Sequence, residues 1–139
     1  MEYCDMGNLH DYQRKINKKA FSFSESCRIL AQILNGTQAI HSRNIMHRDL
    51  KCENIFLLRN KNNSYTCKIG DFGFAKVVEN TAKTTCGTVF YMAPEVMSNL
   101  PYSFEADLWS IGVIFYELLY GDHPFKSKHS KYLGINIEK

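Results

Sequence analysis

Apolar positions along the chain change their spacing several times, and each change marks an element. Glu2-Tyr3-Cys4 reads as extended and Asp5-Met6-Gly7 as a turn, after which Leu9, Tyr12, Gln13 and Ile16 fall at helical intervals. Ser22 with Glu25 three residues on has the form of a capping box, and Leu30, Ile33, Leu34, Thr37, Ile40 and His41 then repeat at helical spacing. This predicts a helix from about Ser24 to Ser42. Asn44 can end it, since asparagine tolerates the left-handed backbone of many helix termini. Ile45-Met46 and Ile55 to Leu58 read as short strands bracketing a polar loop, and Tyr65 to Ile69 as a partner strand across a polar turn of residues 59–64.

Beyond Phe74 the periodicity is lost until Ala93, and threonine and lysine accumulate, as in a long functional loop. Pro94 suits the first turn of a short helix through Met97. The most apolar helix candidate runs from Phe104 to Tyr120, with apolar residues on nearly all sides, so it is expected to be buried. Asp107 is its exception, and a buried acid needs partners; read without context it is equally a helix-start residue. His41 reads as a packing or capping residue. Gly121 and Pro124 end the helix, and no repeat or linker interrupts the chain.

With 139 residues and 45% hydrophobic content, the chain can bury one modest core and not two. A net charge of +3 carried by scattered basic residues gives no nucleic-acid footprint. Five separated cysteines, without C-x-x-C spacing or a histidine cluster, point to a reduced intracellular setting, the cytoplasm, and not to structural zinc. The acidic start lacks a secretory pattern, and the apolar run from Ile111 is broken by Glu117, so neither secretion nor membrane insertion is expected.

The densest chemistry lies in the polar loop His47-Arg48-Asp49-Leu50-Lys51-Cys52-Glu53-Asn54, where an acid, two cations and an amide stand between strands. Its spacing matches the signature His-Arg-Asp-Leu-x-x-x-Asn. Asp71-Phe72-Gly73 would alone be an ordinary turn, but it stands 22 positions after Asp49, across one hairpin. Met92-Ala93-Pro94-Glu95 completes the set. On these motifs the chain resembles the eukaryotic protein kinases, of α+β fold. Lys51 with Thr88 to Glu95 is more similar to the serine/threonine type than to the tyrosine type. The strings Cys86-Gly87-Thr88 and Met92 to Glu95 are similar to those of the autophagy-initiating branch. Cys52 and Val89 depart from prolines common in the family.

The resemblance implies a role for each matching residue. Asp49 would orient the substrate hydroxyl and accept its proton, Lys51 would face the transferring phosphate, and Thr88 would bridge the two. Asn54 and Asp71 would hold Mg2+ through oxygen ligands. ATP would meet the backbone of Glu2 and Cys4 at a hinge of about residues 1–8, with Met1 as gatekeeper, Asn8 near the ribose and Phe56 under the adenine. By themselves residues 2–9 read equally as a surface turn, and Phe56 equally as a core strand residue. Arg48 would receive a phosphate on the loop, with Thr84 the first choice of acceptor and Thr85 the second. His47, Phe72, Glu95 and Asp107 would be structural, Asp107 by accepting hydrogen bonds from the backbone of the catalytic loop.

Residues 9–139 would then form a mainly helical C-terminal lobe, truncated at both ends. The sequence holds no Gly-x-Gly-x-x-Gly loop or Val-Ala-Ile-Lys strand, so the N-terminal lobe is expected to be absent. Two readings stay open. The chain is part of a kinase that transfers the ATP γ-phosphate to protein serine or threonine, inactive in isolation; or it is a truncated, non-catalytic interaction or decoy module.

Overall fold

The computed structural model describes residues 3–16, 20–77, 81–82 and 86–125. Helix α1, Leu9–Lys15, starts where Asn8 accepts the Asp11 amide at 2.8 Å. Helix α2, Phe23–His41, starts at Ser22, whose hydroxyl accepts the Glu25 amide at 3.2 Å. The Glu25 carboxylate meets Arg28 at 2.8 Å and also takes the hydroxyl of Tyr65, so the cap residue doubles as a tie to the hairpin. Asn44 turns the chain in the left-handed conformation, φ 57°.

Strands β2, Ile55–Arg59, and β3, Tyr65–Ile69, form the expected antiparallel hairpin, in register from Ile55 opposite Ile69 to Arg59 opposite Tyr65. The chain before α1 lies along β2: the Met6 amide donates to Leu57 O at 3.2 Å and the Leu57 amide to Gly7 O at 2.8 Å. A second ribbon departs from the sequence reading. Strand β1, Ile45–Met46, pairs with β4, Lys76–Val77, inside the stretch expected to be irregular. Two residues are too short a run to carry a period, so pairing with β1 defines this strand where its own sequence does not.

Helix α3, Pro94–Met97, leads to α4, Glu105–Tyr120, which stops at Gly121 with φ 70°. α4 packs against α2, and α2 against β3. Ile29 and Ile33 of α2, Leu50, Ile55, Leu57, and Ile114 and Leu118 of α4 are wholly buried in one core. α4 is not buried all round, contrary to expectation. Leu108 is 49% exposed, Tyr116 41% and Tyr120 64%, and with Gly112 they form a stripe at four-residue spacing. Composition reports how apolar a helix is; which faces are covered depends on its neighbours, and among the described residues none covers this stripe. No helix among the described residues is long and apolar enough to cross a membrane.

The two faces of α4 make a test. Ile114→Ala should cost about 2 to 5 kcal/mol in urea unfolding, the range for truncating a buried aliphatic side chain. Leu108→Ala should stay within about 0.5 kcal/mol. Equal losses would mean that the buried face is wrongly assigned.

Candidate active site

The polar loop leaves β1 and is seized at once by α4. The His47 amide donates to Asp107 Oδ2 and the Arg48 amide to Oδ1, both at 2.9 Å. His41, at the end of α2, gives Oδ2 a third contact through Nε2 at 2.8 Å. His41 is therefore a partner of the buried acid and not a mere packing or capping residue. Arg48 has φ 68°, a left-handed backbone that a non-glycine residue adopts only where its surroundings fix it. Both amides held by one carboxylate supply that fixation.

His47 is fully buried, and its partners assign its ring. Nε2 lies 2.9 Å from the Gly70 carbonyl, which can only accept, while Nδ1 takes the Asp49 amide at 3.3 Å. The ring is thus neutral, with its proton on Nε2. Gly70 is held a second time, its amide donating to Asn54 O at 2.9 Å. These bonds place Asp71 beside the loop, itself left-handed at φ 56°. Its Oδ1 accepts the Gly73 amide at 3.3 Å, and the Phe72 ring lies 5.0 Å from that of His47.

Asp49, Lys51, Asn54 and Thr88 converge. Lys51 Nζ is 2.9 Å from Asp49 Oδ2 and 2.8 Å from Thr88 Oγ1. Thr88 donates to Asp49 Oδ1 twice, from its amide and its hydroxyl, each at 2.8 Å. Asn54 Nδ2 donates to Asp49 O at 2.8 Å and Oδ2 at 3.2 Å. Gly87 permits the approach: with φ 107°, a Cβ there would stand 2.4 Å from Arg48 O. Burial works to raise the Asp49 pKa, but the bonds from Lys51 and Thr88 outweigh it and hold the carboxyl below its ordinary value.

Next to Asp71, a cavity of about 540 Å³ opens between residues 3–7 and the hairpin, lined by Cys4, Gly7, Phe56, Gly70 and Phe72 among others. It is large enough for a small organic ligand and mainly apolar. Asn8 is not among its lining residues. The structure gives Asn8 another task, since its amide nitrogen donates to Asp11 Oδ2 at 2.9 Å while its oxygen caps α1. The Cys4 carbonyl accepts the Gly7 amide at 3.2 Å. Arg48 Nε donates to Phe74 O at 2.6 Å and a guanidinium NH to the Tyr102 hydroxyl at 3.5 Å; among the described residues it has no carboxylate partner. Glu95 likewise has no ion-pair partner among the described residues. Glu2, Thr84 and Thr85 lie outside the described residues, as does Met1.

As ligands for a divalent cation, Asn54 and Asp71 offer hard oxygens, and the bond from the Gly70 amide to Asn54 O joins their two segments. Asn54 commits its amide nitrogen to Asp49, which leaves its carbonyl as the end a cation could take. The donor set, oxygen without sulfur or imidazole, fits magnesium and not a soft metal.

The model of the protein kinase domain matches residues 1–139. The chain belongs to the protein kinase family. Its relatives are of the eukaryotic serine/threonine type. It is 40% identical to human serine/threonine-protein kinase Nek5 over 99% of this chain, and 41% identical over its whole length to human serine/threonine-protein kinase ULK1. It is also 41% identical to Xenopus laevis serine/threonine-protein kinase PLK1 over its whole length. The chain spans 19%, 14% and 23% of those three proteins. Such even identities select no branch of the family.

Thr88→Ala should raise the Asp49 pKa, because it removes one of two Thr88 donors. The wild-type lowering stabilises the fold above about pH 5, and that gain is lost as the pH falls through the lowered value. The variant should therefore show a smaller loss of stability on acidification. A carbon-detected NMR titration of Asp49 checks this, and an unchanged midpoint would show that Thr88 does not hold the carboxylate.

Proposed function

We propose that these residues are the phosphoryl-transfer centre of a serine/threonine protein kinase that uses ATP and Mg2+, in a C-terminal lobe from about residue 9 onward. The meeting of Asp49, Lys51 and Thr88 carries this reading. Asp49 orients the acceptor serine or threonine hydroxyl and takes its proton as the oxygen bonds to the γ-phosphorus and the bond to the β-phosphate oxygen breaks, releasing ADP. Lys51 sets positive charge against the transferring group, and Thr88 keeps acid and lysine in register.

The cavity beside Asp71 takes the adenine, with Phe56 on one wall and Cys4 on the side of the hinge. Magnesium, held by Asn54 and Asp71, would neutralise phosphate charge. Asn8 is left out of the nucleotide site because both ends of its amide engage Asp11. Arg48, which faces no carboxylate among the described residues, receives a phosphate from Thr84 or, second, Thr85. Residues 1–139 contain no glycine-rich loop or strand lysine for the α and β phosphates, so these residues alone turn over negligibly.

In the protein as its gene encodes it, Asp49→Asn should lower kcat for a serine peptide roughly 10²- to 10⁴-fold. Asp71→Ala should abolish transfer measurably supported by Mg2+. Transfer at the wild-type rate by Asp49→Asn would refute the assignment. Peptide mass spectrometry of the active protein should find phosphate on Thr84 or Thr85, and active protein bare at both would remove the switch assigned to Arg48.

A further inference from the structure

Cys52 stands between Lys51 and Asn54, opening the short turn Cys52–Asn54, and its side chain is wholly buried. Its Sγ lies 3.5 Å from Glu117 Oε2, on α4. The same oxygen accepts the Tyr91 hydroxyl at 2.6 Å. Tyr91 ends the turn Val89–Tyr91, which begins directly after Thr88. The segment is thus tied at both ends, Thr88 to Asp49 and Lys51, and Tyr91 to Glu117.

The loop is tied twice as well. Asp107 takes the amides at its entry, and Glu117 takes the thiol near its exit. The two acids are ten residues apart on α4, roughly 15 Å along a helix. A carboxylate can only accept when ionised, so both groups facing Glu117 must be donors.

We propose that Cys52 is a positioning residue: its thiol donates to Glu117, fixes that carboxylate for Tyr91, and so holds the Thr88–Tyr91 segment against the loop. Its bearing on turnover rests on the kinase reading above; the contact itself does not. The rival role is volume alone, since Cys52 also belongs to the core around Leu50 and Ile55. The two roles order substitutions differently. Serine keeps a donor, whereas alanine and valine lose it and valine keeps apolar bulk.

The test is hydrogen exchange, read by peptide mass spectrometry, of amides 88–93 in the protein as encoded. Cys52→Ala and Cys52→Val should each speed exchange roughly two- to tenfold, the worth of one hydrogen bond, and Cys52→Ser should stay near wild type. Valine near wild type with serine fast would overturn the proposal. Should the Cys52 variants fail to fold, the infrared S–H stretch decides with Cys52 intact. Tyr91→Phe frees Glu117 for the thiol alone and should shift a single S–H band to lower frequency; an unshifted spectrum would overturn the proposal. Wild-type protein without phosphate transfer would refute the kinase reading and leave both readouts to judge the thiol.

Discussion

One buried carboxylate sets the geometry of the site. Asp107 is 2% exposed, and a carboxylate taken out of water costs several kcal/mol unless its oxygens are hydrogen-bonded. Here the donors come from two separate parts of the chain: the amides of His47 and Arg48, and the ring of His41. The helix therefore cannot satisfy its own acid. It must bring the end of α2 and the start of the polar loop to the same point. The same bonds hold Arg48 in a left-handed conformation, which costs of order 1 to 3 kcal/mol and turns the chain so that Asp49 follows into the site.

From that fixed point the order spreads by backbone bonds. Asp49 donates its amide to His47, His47 reaches the Gly70 carbonyl, and Asn54 takes the Gly70 amide. Two segments separated by the whole β2–β3 hairpin are thereby locked together. The hairpin has little choice of register, because Ile55 must face Ile69 for Asn54 and Gly70 to meet. The side chains of the candidate site are thus carried by backbone that is hydrogen-bonded on both sides of the hairpin.

The loop was legible in the sequence because its charges are crowded between apolar strands, a pattern that packing does not explain. The β2–β3 hairpin and the caps were legible for local reasons, since Ser22 and Asn44 act on backbone within a few residues. An asparagine before a helix can serve as a cap or as a ligand, and the position of Asp11 shows that Asn8 serves as a cap. In the sequence Glu117 only interrupts an apolar run. The rule applied to Asp107, that an acid in an apolar helix needs partners, held for it too, but Cys52 and Tyr91 are 65 and 26 residues away. The exposed stripe on α4 could not be foreseen, since periodicity cannot name a helix's neighbours.

Asp49 shows what the site must give up to work. A carboxylate offers about four lone-pair positions, and four donors already fill them: two from Thr88 on Oδ1, and Lys51 and Asn54 on Oδ2. On the proposed reaction, an acceptor hydroxyl can enter only if one donor yields. The Thr88 amide is fixed by the turn that follows it, and Lys51 is held by charge. Asn54 makes the longest of these contacts, 3.2 Å, and its nitrogen keeps Asp49 O at 2.8 Å if that contact opens. It is the donor that can yield at least cost. An acid held below its ordinary pKa is a weak base, so in the proposed reaction Asp49 would act first by orienting the hydroxyl. In that reaction it would take the proton as bonding to phosphorus makes that proton acidic.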